Sequence, residues 1–208
     1  MGNKISYRQE ILRKVIHLLS LSIPLFYYFN SSDLLLRILV PLAIISVIID
    51  LLSQYWSKFH DLFYVFFGSM MRPHETRKGI HLNGASWVFV SAIITIILFP
   101  KLIAIIAFSI LIVSDLLAAL VGRKFGRHPL FDKSWEGTLA FIVSGLIIVF
   151  LVSSWENQDV NFLLACFVGV IVSAFSEAAS GTLKLDDNLA VPLAFGFAHQ
   201  LSFYFLAS

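Results

Sequence analysis

Apolar residues run through this chain in long unbroken blocks rather than alternating with polar ones. A helix needs about 20 apolar residues to cross the hydrocarbon core of a bilayer. Seven blocks qualify, approximately 11–29, 34–54, 80–99, 101–121, 136–154, 160–182 and 188–206. The pattern therefore predicts seven membrane-spanning helices, an all-α polytopic fold, forming a single integral membrane domain over residues 1–208. The connection 55–79 is too polar to span. Its stretch YWSKFHDLFYVFFGSMMR mixes aromatics with Lys58, His60, Asp61 and Arg72, which suits a helix lying in the interface. Pro24 and Pro41 fall within predicted spans, where neighbouring helices satisfy the carbonyls a proline frees.

Composition agrees with that pattern. Of 208 residues, 58% are hydrophobic and 13% charged, against about 25% charged in a soluble domain. So few charges cannot cover a water-facing surface. The single cysteine, Cys166, has no partner for an internal disulfide. No small-residue cleavage site follows the first block, so it reads as a retained span rather than a signal peptide.

Where the charges sit adds an orientation. Lys4, Arg8, Arg13 and Lys14 precede the first span; Lys58, Arg72, Arg77 and Lys78 follow the second; Arg123, Lys124, Arg127 and Lys133 follow the fourth; Lys184 follows the sixth. Only Arg37 and Lys101 fall on the alternate connections, so thirteen of the fifteen basic residues share one side. The positive-inside rule makes that side cytoplasmic, with the N-terminus inside and the C-terminus outside. Acidic, histidine and amide residues gather there too: Glu10, His17, Glu75, His81, Asn83, Asp115, Asp132, Glu136, Glu177, Asp186, Asp187 and Asn188. The outer halves of the spans carry almost nothing ionisable. A bias of bases does not draw carboxylates with it, whereas a polar site on that face does.

Several groups there have the residue types of phosphoryl chemistry. Asp115 lies within the fourth span, and an intramembrane carboxylate marks a site by default; Ser114 beside it suits helix packing. The segment from Gly122 to Gly137 lacks the Walker spacing but has its ingredients. Gly122 and Gly126 give a backbone free to approach phosphates, Lys133 is a point charge, and Arg123, Lys124 and Arg127 add further cations. Ser134 is a candidate N-cap of the fifth span, with Glu136 and Gly137 in its first turn. The alternative for these cations is contact with anionic lipid. Glu177, followed by Asp186 and Asp187, supplies oxygens of the kind Mg²⁺ prefers; the alternative for the aspartates is a loop with one capping the seventh span. Arg13-Lys14-x-x-His17 and Arg77-Lys78-x-x-His81 echo each other, each after a glutamate, and either bind substrate or anchor at the interface.

With these residues in place, the chain resembles the CTP-dependent lipid-alcohol kinases: dolichol, polyprenol and phytol kinases and CTP-dependent diacylglycerol kinases, distant relatives of phosphatidate cytidylyltransferases. The matching pieces are ExxRKxxH at Glu10–His17, HETRKGIHLNG at His74–Gly84, SDLLAALVGRKFGR at Ser114–Arg127, KSWEGTLAF at Lys133–Phe141 and ExxxxxxxxDDNLxVP at Glu177–Pro192. The resemblance implies transfer of the γ-phosphoryl group of CTP to a lipid hydroxyl, with Mg²⁺, at the cytoplasmic face. It implies that Arg13 and Lys14 are an essential basic pair, with Lys78 in the second copy. Asp115 would be the buried catalytic aspartate, and Gly122 and Lys133–Gly137 nucleotide segments. The expected metal ligands are Asp187, Asp186, Glu177 and Asp115. The expected partners are a membrane lipid alcohol, a nucleotide and the bilayer, and no nucleic acid. CMP transfer to phosphatidate is the nearest alternative activity, and a small ion or proton-coupled transporter the alternative of another class.

Overall fold

The computed structural model describes residues 17–56 and 82–207. Seven helices are found there: α1 Ser22–Phe29, α2 Ser32–Tyr55, α3 Gly84–Leu98, α4 Lys101–Phe125, α5 Trp135–Trp155, α6 Val160–Leu183 and α7 Asp187–Ala207. Each corresponds to one of the seven predicted spans. Five are long and apolar enough to cross a membrane, while His17–Phe29 and Gly84–Leu98 are shorter apolar helices. The protein is an all-α polytopic membrane protein. The expected interfacial helix over 55–79 and most of the polar start of the first span lie outside the described residues.

The helix starts follow local chemistry. Ser31, Asn83, Ser134 and Asp159 each accept a backbone N–H from the first turn of α2, α3, α5 and α6, satisfying donors that the helix leaves open. Proline sits inside α2 at Pro41 and inside α7 at Pro192, as membrane helices tolerate.

Helix α4 is the hub: 67% of its most apolar stretch is buried inside the protein, against 22% for α2. It packs on α1, α5 and α7, while α6 packs on α5 and α7 and α3 on α2 and α7. Outward faces are apolar instead of polar. Leu139, Val143, Ile147 and Leu151 form one exposed stripe on α5, which water would penalise and lipid tails accept.

Chain direction alternates. One end of the bundle gathers the end of α2, the starts of α3, α5 and α7, and the ends of α4 and α6. There Asn83 meets Asp50, Gly122 adjoins Gly137, and Asp132 meets Thr182. The opposite end gathers Tyr28, Glu156 and Trp155, with Phe162 against Phe203.

A small β-hairpin, unanticipated from the sequence, joins α4 to α5. Strand β1 (Pro129–Leu130) pairs antiparallel with β2 (Lys133–Ser134). Two residues, Phe131 and Asp132, make the turn, Phe131 with a positive φ of 48°, as the first position of a tight hairpin turn requires. Four residues are too short a signal to register as strands.

Candidate active site

The hairpin places Lys133 directly before α5, and three buried carboxylates from three other helical positions surround its ammonium. Lys133 Nζ donates to Glu177 Oε1 at 2.5 Å and lies 4.0 Å from Asp187 Oδ2. The Asp115 carboxylate, from the middle of α4, acts on the same ammonium electrostatically. Glu177 and Asp115 are 1% and 3% exposed. Lys133 keeps 35% of its side-chain surface open, with its stem towards solvent and its head turned inward. Burial alone would lower the lysine pKa. The Glu177, Asp115 and Asp187 carboxylates outweigh that and hold it above the ordinary lysine value, so the ammonium stays charged at any physiological pH.

Local structure explains the convergence. Helix α6 ends at Lys184, in the left-handed region with φ 56°, and Leu185 N–H returns to the Ser180 carbonyl, closing the helix as such caps do. The chain then reverses within three residues, so Glu177 near the end of α6 faces Asp187 at the start of α7. The Asp186 carboxylate, just before α7, accepts from Asn188 N–H and from the Asn188 amide, as a residue capping that helix does.

The hairpin is held from two sides. Asp132 Oδ2 accepts from Thr182 Oγ1 at 2.7 Å, and a Cβ at Gly181 would meet that same carboxylate at 2.6 Å. Glu136 accepts from the His128 backbone N–H and stands 2.8 Å from His128 Nδ1. Ser134 caps α5 by accepting from Gly137 N–H at 3.2 Å, as its sequence position predicts.

The loop glycines have a packing role. A Cβ on Gly126 would fall 2.8 Å from Ser134 Oγ, and one on Gly137 would fall 2.9 Å from the Ala118 carbonyl. Gly122 and Gly137 thus let the end of α4 and the start of α5 approach backbone to backbone, and Gly126 leaves room for Ser134 just before Trp135. Arg123, Lys124 and Arg127 are exposed on the surface, Lys124 lying 5.2 Å from the Phe125 ring centre. Lys133 reaches the buried carboxylates Glu177 and Asp187. Arg13, Lys14 and Lys78 lie outside the described residues.

For Mg²⁺ the donor chemistry fits in a limited mode. Among the described residues, no three or more His, Cys, Asp or Glu side chains gather as a metal cage. Magnesium seldom uses one; it takes one or two carboxylates and completes its shell with phosphate oxygens and water. Asp115 and Asp187 offer such oxygens, whereas Glu177 holds Lys133 and Asp186 caps α7.

Two polar residues escaped the sequence reading. Asp50, near the end of α2, is buried and accepts from both the backbone N–H (2.9 Å) and the side-chain amide of Asn83. Its signal was that of Asp115, a lone aspartate in an apolar run. His199 is the second. It is buried in the half of α7 remote from Lys133, among Phe162, Phe195 and Phe203, and neither ring nitrogen has a hydrogen-bond partner among the described residues.

Comparison with known proteins gives the family. The cytidylyltransferase family model matches residues 3–179. An uncharacterized protein of Rickettsia prowazekii is 31% identical, over 95% of this chain and 96% of its own. The CTP-dependent diacylglycerol kinase 1 of Saccharomyces cerevisiae is 27% identical, over 89% of this chain and 71% of its own. The phytol kinase of Synechocystis is 34% identical across 38% of this chain and 35% of its own. No solved structure matches the chain. Matched over most of its length by the family model and by relatives named for CTP-dependent and lipid kinase activity, the chain belongs to the cytidylyltransferase family, in its branch of CTP-dependent lipid kinases.

Proposed function

We propose that residues 1–208 act as one catalytic unit that transfers the γ-phosphoryl group of CTP to the hydroxyl of a membrane lipid alcohol at the cytoplasmic face. The acceptor class is a polyprenol or dolichol, a phytol-like prenol, or diacylglycerol. The observation that carries this reading is the buried Lys133 ammonium among Glu177, Asp115 and Asp187. Buried charges in a membrane bundle are costly and mark a site, and this one opens at the end of the bundle bearing the basic connections. The names of the yeast and cyanobacterial relatives support CTP as donor and a lipid as acceptor.

Phosphoryl transfer asks mainly for positioning and charge neutralisation. Lys133 neutralises the phosphates, and the start of α5 behind Ser134 offers its positive end. Asp115, deepest in the bilayer of the three carboxylates, meets a hydroxyl arriving from the lipid side. The hydroxyl oxygen forms the new bond to the γ-phosphorus, the bond from that phosphorus to the β–γ bridging oxygen breaks, CDP leaves, and the hydroxyl proton passes to Asp115. Mg²⁺ held by Asp115 or Asp187 together with the triphosphate would offset phosphate charge. Arg13, Lys14 and Lys78 are assigned to the transferred group on the strength of their motif.

One observation favours a second reading: the family model matching residues 3–179 carries the name cytidylyltransferase. A cytidylyltransferase joins CMP to phosphatidate and releases pyrophosphate. Purified protein incubated with γ- or α-labelled CTP, and with polyprenols, phytol, diacylglycerol and phosphatidate in turn, separates the two. A kinase places γ-label on an alcohol; α-label on phosphatidate establishes the alternative and ends the kinase reading.

A further inference from the structure

The end of the bundle that holds Lys133 contains a second buried carboxylate system. Asp50 is 3% exposed, although α2 as a whole is the most open of the long helices. Its Oδ2 accepts the Asn83 backbone N–H at 2.9 Å, and its Oδ1 the Asn83 side-chain amide. Asn83 Oδ1 in turn accepts the Ser86 N–H at 3.0 Å and caps α3. One carboxylate therefore fixes both the backbone and the rotamer of the capping residue, through charge-assisted bonds in a dry setting. One turn earlier on α2, Ser46 and Ser86 share a hydroxyl hydrogen bond of 2.7 Å, which already ties α2 to α3.

The start of α3 also adjoins the start of α7. A Cβ on Gly84 would stand 4.0 Å from Asn188 Nδ2, and Asn188 is held by Asp186 and follows Asp187. The chain of contacts runs from Asp50 through Asn83 and Gly84 to Asn188 and so to the corner bearing Asp187, 4.0 Å from Lys133. A helix seam alone needs no ionised group, since the Ser46–Ser86 pair serves that purpose. We propose that Asp50 is a positioning residue of the nucleotide site, acting through Asn83 and the start of α3 to set the Asp187 corner against Lys133. This rests on the functional reading above.

The test compares Asp50→Asn with Ser46→Ala, which breaks the neighbouring tie of the same seam. Unfolding temperature in detergent, kcat and KM for CTP, and the Kd of labelled CTP by equilibrium dialysis are measured for both. Ser46→Ala is expected to keep CTP constants within about twofold of wild type. Asp50→Asn, at comparable unfolding temperature, is expected to weaken CTP binding or kcat/KM by about 100-fold, the cost of a misplacement near 1 Å. Asp50→Glu, which keeps the charge, is expected to recover part of that loss. Unchanged CTP constants in Asp50→Asn, or losses that track unfolding temperature equally in both variants, overturn the proposal. If wild type transfers no γ-label to any lipid, the kinase reading fails while the dialysis Kd still decides the role of Asp50. A weakened Kd confined to Asp50→Asn supports the role, and equal Kd values overturn it.

Discussion

The two ends of the bundle both carry polar networks, but of opposite kinds. At the end remote from Lys133, Tyr28 donates to Glu156 at 2.6 Å and receives Trp155 Nε1–H at 3.0 Å, while Lys101 Nζ donates to the Tyr28 carbonyl at 3.0 Å. These groups sit at helix termini with water in reach, where such pairs contribute about 0–1 kcal/mol. At the Lys133 end, Glu177, Asp115, Asp187 and Asp50 are all buried. A fold needs only the first kind to fasten its loops. The second kind carries a desolvation cost that packing does not require, which is why it identifies the site.

The sharpest break of that contrast is Asp115→Asn. Loss of the proton acceptor is expected to reduce CTP-dependent lipid labelling by at least about 100-fold, with folded protein retained by size-exclusion chromatography. Full activity would remove Asp115 from the chemistry. Lys133→Met comes next: it strips the counter-ion from Glu177 and its neighbours. Breaking a buried pair from one side costs about 3 kcal/mol, the low end for such pairs because the Lys133 stem is partly open. Lower unfolding temperature together with lost activity is expected, and an unaffected unfolding temperature would show that the ion pair contributes little.

Gly137→Ala probes the scaffold between those charges. Its methyl would press on the Ala118 carbonyl at 2.9 Å, and overpacking of this kind costs about 1–3 kcal/mol. Thermal unfolding measures it, and tolerance without loss would mean α4 and α5 separate freely. At the opposite end, Tyr28→Phe removes two exposed-end hydrogen bonds and is expected to cost about 1 kcal/mol or less, with kcat unchanged. A large catalytic effect there would erase the distinction between the ends.

The sequence made the spans legible because twenty-residue apolar blocks leave little choice of structure in lipid. It also identified the partners of the site: Asp115, Lys133, Glu177 and Asp187 were each marked by a charge in or beside an apolar run, and the Ser134 cap by its place before α5. Their grouping around one ammonium was not legible, since it depends on the αL turn at Lys184 and on a hairpin of two-residue strands. Gly122, Gly126 and Gly137 illustrate the same limit. Their spacing suits a phosphate loop as well as a close helix crossing, and the approach of Gly137 to Ala118 and Gly122 is what the spacing alone does not reveal. Asp50 bore the same mark as Asp115, a lone aspartate in an apolar run, but its tie to Asn83, 33 positions away, shows only in the fold.

The central claim, that the Lys133 cluster is where CTP binds, is tested most directly by binding rather than turnover. In the double variant Lys133→Gln, Glu177→Gln the closest pair is replaced by two neutral amides, so Glu177 is not left as an unpaired carboxylate; Asp115 and Asp187 still lose the ammonium, and size-exclusion chromatography and the unfolding temperature check that the variant is folded. Equilibrium dialysis of labelled CTP against this variant is predicted to show a Kd at least about tenfold weaker than wild type, the loss of one phosphate contact by a charged group. An unchanged Kd in folded protein would place the nucleotide elsewhere and contradict the account.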